Sequence, residues 1–145
     1  MSTAALICDT GALLDYLSAA SPDHRAFRDA IDGARARYVP GLVLAELDYF
    51  LRDERPAMRA FMADLERDAF TYAPPTPAHL RRAMEIDSRY ADLKLGLVDA
   101  SIVALAEQLG VVRLATRDLR HFEAVAVQGD RRFQLVVRVR RTPGG

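Results

Sequence analysis

The chain has 145 residues, half of them hydrophobic, and its 20 Lys and Arg residues balance its 20 Asp and Glu residues. This length and composition exclude a disordered chain, a collagen-like repeat and a multidomain protein, so we expect residues 1–145 to form one domain. The only cysteine, Cys8, excludes an intramolecular disulfide and gives no sign of an oxidising compartment.

Short apolar runs alternate with stretches of helical period, a pattern typical of an α/β domain with a parallel sheet. The first run, residues 4–8, is too short for a signal sequence or a membrane span, so we expect a soluble, cytoplasmic protein. From the N-terminus we predict a strand at 6–8, a helix at 11–18, a helix beginning at 21–23, a strand at 38–39 and a helix at 42–52. We then predict a helix at 57–68, a strand at 70–73, helices at 77–89 and 98–109, a strand at 111–115, a turn and short helix at 116–122, and a strand at 133–139.

Two acidic residues follow predicted strands. Asp9 comes directly after the first strand, and Asp118 lies three residues after the strand that ends at Ala115. Both precede helices, where Asp is a favoured N-cap, so a purely structural role is the alternative for each of them. If both strands belong to one parallel sheet, the two carboxylates lie at its carboxyl edge, where ligands bind in open α/β sheets.

Two further acids lie on predicted helices. Asp99 falls inside the apolar stripe of its helix, where a carboxylate is costly unless a cation pairs with it or the first turn of the helix satisfies it. Glu46 lies at the border of the apolar face of residues 42–52, a position that is more often solvated. Both interpretations stay open for each of these residues.

Together, the four acids predict a metal site. Several carboxylates at one sheet edge repel one another and raise one another's pKa, so a stable fold needs a compensating cation. The three histidines, His24, His79 and His121, lie in unrelated segments, so oxygen-only ligation is expected and Mg²⁺ or Mn²⁺ is favoured over zinc. Such an ion at a sheet edge is suited to phosphodiester cleavage.

Charge is unevenly distributed along the chain. Residues 1–110 carry 12 basic and 17 acidic residues, whereas residues 111–145 carry 8 Arg and 3 acidic residues. Of the 20 basic residues, 19 are Arg and Lys94 is the single Lys. Guanidinium groups suit phosphate and base faces, so the basic C-terminal part is a candidate contact for an anion, with codon bias as the alternative explanation.

Four segments in order resemble the PIN-domain ribonucleases of the VapC toxin type, and the resemblance covers essentially the whole chain. The segments are Ile7–Leu14, Val43–Leu47, Leu97–Ile102 and Ala115–Asp118 with His121 and Phe122. Each motif alone is weak, but four in order over a domain of this size form a specific signature. The resemblance implies a three-layer α/β/α sandwich with a central, mostly parallel sheet.

The resemblance also implies an Mg²⁺- or Mn²⁺-dependent endoribonuclease, held inactive by a cognate VapB-type antitoxin and forming a homodimer. The family's acidic quartet, which binds the metal and acts in catalysis, falls on Asp9, Glu46, Asp99 and Asp118. The resemblance implies Asp9 and Asp99 as the most direct metal ligands, with Glu46 and Asp118 completing the shell directly or through water. The hydroxyls of Thr10 and Thr116 lie beside these acids and are expected to orient a carboxylate or a water. Family members leave a 5′-phosphate and a 3′-hydroxyl.

Arginines and aromatic groups are the expected contacts to RNA bases. Arg117, Arg120 and His121 are the candidates near the acids, and a second set lies beyond them: Arg131, Arg132, Arg138, Arg140 and Arg141. For most of these arginines, solvated charge on an edge strand is the alternative. The segments 22–24, 45–49 and 120–122 resemble the branch that cleaves the sarcin–ricin loop of 23S ribosomal RNA, whereas other branches cleave tRNA anticodon loops.

Two other classes of protein are consistent with an α/β sheet. A degenerate, non-catalytic module that binds RNA or a protein would have no reason to retain four repelling acids. A phosphotransfer receiver domain needs paired acids at the first strand end and a Lys after a late strand. Here Asp9 stands alone, and Lys94 precedes a helix. The apolar helices around Phe50, Phe61 and Leu65 are a candidate groove for an antitoxin segment, with simple core burial as the alternative.

Overall fold

The computed structural model describes residues 4–139, which contain seven short strands. In chain order these are β1 (Ala5–Cys8), β2 (Ala36–Pro40), β3 (Thr71–Ala73), β4 (Arg113–Ala115), β5 (Ala126–Val127), β6 (Arg131–Arg132) and β7 (Gln134–Leu135). Five of them form one sheet in the order β3-β2-β1-β4-β7, and every neighbouring pair in that sheet is parallel. The carboxyl ends of these strands therefore share one edge.

Seven α-helices connect or follow these strands in the described part of the chain. They are α1 (Thr10–Leu17), α2 (His24–Asp32), α3 (Gly41–Phe50), α4 (Arg55–Glu66), α5 (Pro77–Arg89), α6 (Gly96–Leu109) and α7 (Leu119–Ala124), and a 3₁₀ turn spans Ala91–Leu93. The predicted caps are present: the Thr76 hydroxyl accepts from the His79 N–H at 3.2 Å, and Gly110 ends α6 with a φ of +66°.

The core forms between the sheet and its flanking helices. β1 lies in the middle of the sheet, and Leu6, Ile7 and Cys8 are completely buried. α5 packs against α6, and α1 packs against α2. Central parallel strands are buried on both faces, which is why the strand reads as a continuous apolar run in the sequence. The predicted α/β class with a central parallel sheet is confirmed.

The C-terminal part differs from the prediction. The strand expected at residues 133–139 is reduced to Gln134–Leu135, because β4 ends at Ala115 and offers no ladder beyond it. Residues before it form an antiparallel pair, β5 with β6, which the sequence analysis missed because two-residue strands carry no readable alternation. Arg140 and Arg141, predicted RNA contacts, lie outside the described residues.

The groove hypothesis for the apolar helices is also corrected in part. Phe61 is completely buried and packs on Phe70 with ring centroids 5.0 Å apart, so it belongs to the core. Phe50, in contrast, is 56% exposed. Across residues 4–139, none of the helices has the length and apolar character needed to cross a bilayer.

Candidate active site

Asp9 lies where β1 passes into α1. Cys8 pairs with Ala115 in the sheet, and the Asp9 N–H donates to the Ala115 carbonyl at 2.9 Å, so the ends of β1 and β4 are held side by side. The carboxylate is 7% exposed and accepts two hydrogen bonds of 2.7 Å. One comes from the Thr10 N–H to Oδ1, and the other comes from the Thr116 hydroxyl to Oδ2. Asp9 is therefore fixed at the carboxyl edge of the sheet.

Asp118 is the N-cap of α7, which follows β4. Its Oδ1 accepts from the His121 N–H at 3.1 Å, and its own N–H donates to the Thr116 hydroxyl oxygen at 3.0 Å. Its Oδ2 lies 2.8 Å from Nδ1 of His121. The capping role considered as an alternative for Asp9 and Asp118 is thus present for both, and it coexists with their position at the sheet edge.

Asp99 and Glu46 complete the cluster from two other helices. Asp99 lies in the first turn of α6, with its side chain 18% exposed and its Oδ2 2.7 Å from Nδ1 of His121. Glu46 lies on α3, and its Oε1 accepts from the Thr10 hydroxyl at 2.7 Å. The four acids, which are up to 109 residues apart in sequence, therefore share one hydrogen-bonded network.

The electrostatics of the cluster follow from burial and like charge. Burial raises the pKa of the Asp9 carboxyl to about 7, and the charges of Asp99 and Glu46 add to this rise, while the Thr116 hydroxyl opposes it. Burial also raises the pKa of Asp99, and the nearby carboxylates of Asp118 and Glu46 contribute, whereas His121 lowers it. A positive ion at this edge would offset both the burial of these carboxylates and the smaller repulsion between them.

The donor set fits a divalent ion. Asp99, Asp118 and His121 each offer one ligand atom, and these three atoms lie within 4.8 Å of one another. Asp9 and Glu46 are not part of this tight group, but the charge of Glu46 acts on Asp99, and the charge of Asp99 acts on Asp9. Carboxylate oxygens are the ligands that Mg²⁺ and Mn²⁺ prefer.

His121 contacts two of the acids, which the sequence analysis did not specify. It was predicted as an RNA contact near the acids, and the structure places its Nδ1 within 2.8 Å of Asp99 and Asp118. The RNA contact and the oxygen-only ligation both stay predictions. The available signal was its spacing: a residue three positions after Asp118 lies one helical turn away on the same face.

The predicted RNA-contact arginines differ in their surroundings. Arg117 forms ion pairs with Asp15 and, at 2.7 Å, with Asp23, so it ties the segment after β4 to α1 and to the residue before α2. Gly11 leaves room for it, because a Cβ there would lie 3.2 Å from the Arg117 Cδ. Arg120 is exposed and, within the described chain, forms no ion pair.

The remaining predicted arginines lie around β5, β6 and β7. Arg131 and Arg132 are exposed on β6, whereas Arg138 pairs with Glu123. The ion pair of Arg138 with Glu123 links the C-terminal segment to α7, which favours a structural role for this arginine.

The fold and the cluster define an α/β domain with an acidic centre at the carboxyl edge of its sheet. Residues 6–128 match the family described as PIN domain. The chain is 37% identical over 134 residues to ribonuclease VapC26 of Mycobacterium tuberculosis, which covers 90% of this chain and 99% of that protein. The chain belongs to the PIN-domain family and, within it, to the VapC ribonucleases.

Solved structures show the same fold. A toxin–antitoxin complex from Klebsiella pneumoniae matches with a TM-score of 0.70 at 21% identity, covering 92% of this chain and 99% of that one. M. tuberculosis VapC20, described as a sarcin–ricin loop cleaving toxin, matches with a TM-score of 0.66 at 19% identity, and the match covers 75% of this chain and 86% of that one. VapBC2 of Rickettsia felis, bound to a DNA fragment from its promoter, matches with a TM-score of 0.66 at 12% identity, and the match covers 90% of this chain and 98% of that one.

Proposed function

We propose that this protein is a toxin endoribonuclease that depends on a divalent ion, Mg²⁺ or Mn²⁺, and hydrolyses structured RNA to inhibit translation and growth. The observation that carries the proposal is the convergence of four acids at one sheet edge, with Asp9 buried and its pKa raised to about 7. A fold keeps such a costly arrangement when a bound cation compensates for it. The 37% identity to a VapC ribonuclease supports the same activity.

We assign metal binding and catalysis to Asp9, Glu46, Asp99 and Asp118. When bound, the ion polarises the phosphate, lowers the pKa of a bound water and neutralises charge in the transition state. The chain's own part is to hold these carboxylates in place. The Thr10 hydroxyl holds Glu46, and the Thr116 hydroxyl holds Asp9. This positioning limits the reorganisation that the reaction requires.

The expected products carry a 5′-phosphate and a 3′-hydroxyl, because we expect water, and not the ribose 2′-hydroxyl, to attack the phosphorus while the P–O3′ bond breaks and the 3′-oxygen leaves with a proton. The substrate we favour is the sarcin–ricin loop of 23S ribosomal RNA, with tRNA as the other candidate. A fold neighbour described as cleaving that loop is consistent with this choice. Since these RNAs are cytoplasmic, we place the activity in the cytoplasm.

We propose that the RNA crosses the surface near α7. Arg120 is exposed there and has no carboxylate partner within residues 4–139, so its guanidinium is available to a phosphate or a splayed base. Arg117 lies close by but is engaged by Asp15 and Asp23, so it contacts RNA only at the cost of those pairs. The RNA role predicted for His121 remains a prediction.

The partner we propose is a VapB-type antitoxin, and we expect the toxin itself to form a homodimer. Two of the similar structures are of toxin–antitoxin assemblies. A groove of about 600 Å³ between α3 and α4 is lined by apolar and charged side chains, among them Leu44, Met58, Met62, Asp48 and Arg55. An amphipathic peptide helix is the kind of segment that fits such a groove.

The proposal is tested by incubating the purified protein with bacterial ribosomes or tRNA in the presence of Mg²⁺, Mn²⁺ or a chelator. We expect ion-dependent cleavage that Asp99→Asn reduces by at least about 100-fold, since that change removes a charged ligand and the loss of groups around a metal already costs about 10–100-fold. Asp92→Asn, in an exposed turn, is the matched control and retains full activity. Equal cleavage by Asp99→Asn, or cleavage that survives the chelator, contradicts the proposal.

A further inference from the structure

We infer that His121 is a nitrogen ligand of the proposed ion and that it makes this site prefer Mn²⁺ over Mg²⁺. The inference rests on the proposed function, since it concerns the same ion. It departs from the oxygen-only ligation that the four acids alone imply.

The position of the imidazole carries the inference. Nδ1 lies 2.7 Å from Oδ2 of Asp99 and 2.8 Å from Oδ2 of Asp118, so it lies against oxygens of two of the acids that we assign to the ion. The His121 side chain is only 15% exposed. A cation held by these two oxygens therefore has Nδ1 as an immediate neighbour.

The backbone of α7 keeps the ring in this position. Asp118 caps the helix through the His121 N–H. The next residue, Phe122, is 1% exposed and packs edge to face on Phe133 with ring centroids 5.4 Å apart. The ring therefore starts from an anchored helix, and little conformational freedom is lost when an ion binds.

The other two histidines contrast with His121. Nδ1 of His24 contacts the Asp15 carbonyl oxygen at 2.8 Å, and Nδ1 of His79 accepts from the Thr76 N–H at 3.2 Å. Each of these two nitrogens therefore contacts a backbone group. Nδ1 of His121 instead lies beside two carboxylate oxygens that we assign to the ion, and the three atoms are within 4.8 Å of one another.

The chemistry of the donor predicts the selectivity. Without an ion, Nδ1 carries a hydrogen and donates to the two carboxylate oxygens, which only accept. An ion that binds there displaces this proton to solvent, and the neutral imidazole with its hydrogen on Nε2 then presents the Nδ1 lone pair to the ion. Mg²⁺ is a hard ion that takes oxygen ligands, whereas first-row transition ions also accept imidazole nitrogen. Replacing one oxygen position by nitrogen therefore shifts the preference from Mg²⁺ towards Mn²⁺.

The first test is calorimetric titration of the protein with Mn²⁺ and with Mg²⁺ at one fixed pH. We expect His121→Gln to weaken Mn²⁺ binding by about 10–100-fold, the range found when groups around a metal are removed. Mg²⁺ binding should change much less, so the ratio of the two affinities falls. His79→Gln, on the exposed N-terminus of α5, is the matched control and leaves both affinities unchanged.

The second test is pulsed electron paramagnetic resonance of the Mn²⁺-loaded protein. A directly bound imidazole gives a ¹⁴N coupling, which should be present in the wild-type protein, convert to ¹⁵N when histidine is labelled, and be absent from His121→Gln. The ¹⁵N labelling of histidine in the wild-type protein shows whether a histidine nitrogen binds Mn²⁺ even if His121→Gln does not fold. Bound Mn²⁺ without nitrogen coupling overturns the role of His121 and leaves the proposed function standing, whereas failure of the wild-type protein to bind Mn²⁺ or Mg²⁺ overturns both.

Discussion

Thr116 shows how single side chains serve both the fold and the site. Its hydroxyl is fully buried, donates to Asp9 and accepts from the Asp118 N–H, so one oxygen atom links two of the four acids. Asp9 and Asp118 are at the same time helix N-caps. The same carboxylates that begin α1 and α7 are therefore those that face the proposed ion.

Asp9 gives the metal-free protein a defined pH dependence. Burial raises its carboxyl pKa from 3.8 to about 7, so the folded state binds this proton more tightly than the unfolded state. The contribution of Asp9 to the free energy of unfolding is therefore largest below about pH 4, where the carboxyl is protonated in both states. It falls by about 1.4 kcal/mol for each pH unit between the unfolded-state and folded-state pKa values, and the loss is complete once the pH has risen through about 7. We expect Asp9→Asn to remove this loss and to be more stable than the wild-type protein at pH 8.

The measurement is urea denaturation of both proteins in chelator between pH 4 and pH 8. The difference between their free energies of unfolding isolates Asp9 from the other titrating groups. Adding Mn²⁺ should restore the stability of the wild-type protein at pH 8, because the ion binds only the folded state. A difference that does not change with pH would contradict the account of Asp9.

Replacing Thr116 tests the hydroxyl network. Thr116→Val keeps the shape of the side chain but leaves Asp9 Oδ2 and the Asp118 N–H without this partner. We expect cleavage and metal affinity to fall by about 10–100-fold, the cost of losing a group that orients a ligand. Thr116→Ser retains the hydroxyl and should recover most of both. Equal activity of the Val and Ser variants would show that the hydroxyl has no part in the reaction.

At the scale of the elements, the sequence predicts the helices that are long enough to show a clear apolar period. The helix predicted at residues 77–89 is α5 with the same bounds, because Thr76, Pro77 and the apolar period mark it clearly. Short strands are harder, since β5, β6 and β7 have two residues each and depend on their partners for definition. The approach of His121 to Asp99 was also beyond sequence reasoning, because it depends on how α6 and α7 are placed relative to each other.

Two phenylalanines on consecutive helices allow the effect of a core position to be compared with that of a surface position. Phe61 on α4 is completely buried, whereas Phe50 at the end of α3 is 56% exposed. We expect Phe61→Ala to lower the free energy of unfolding by about 3–5 kcal/mol, because it removes buried surface and leaves a cavity. Phe50→Ala should stay within about 0.5 kcal/mol. Chemical denaturation checks both, and similar losses in the two variants would contradict the packing of α4.

At the scale of the whole molecule, the order of strands creates the site. β1 and β4 are neighbours in the sheet although α1 to α6 separate them in the chain, so Asp9 and Asp118 meet at one edge. The sequence predicts that parallel strands share an edge, but it does not give the order of the strands. The family resemblance supplied that link, since the quartet it implied is the set of acids whose charges act on one another here.

The central claim is that this acidic cluster hydrolyses RNA with water as the nucleophile. The most direct measurement is sequencing of RNA 5′ ends, with 5′-monophosphate and 5′-hydroxyl ends captured in separate libraries, after brief induction of the wild-type protein and of Asp99→Asn, at equal soluble levels, in a bacterial host. We predict new 5′-phosphate ends at a single site in ribosomal or transfer RNA with the wild-type protein and none with the variant. The same ends from both proteins, or new ends that carry only a 5′-hydroxyl, would contradict the claim.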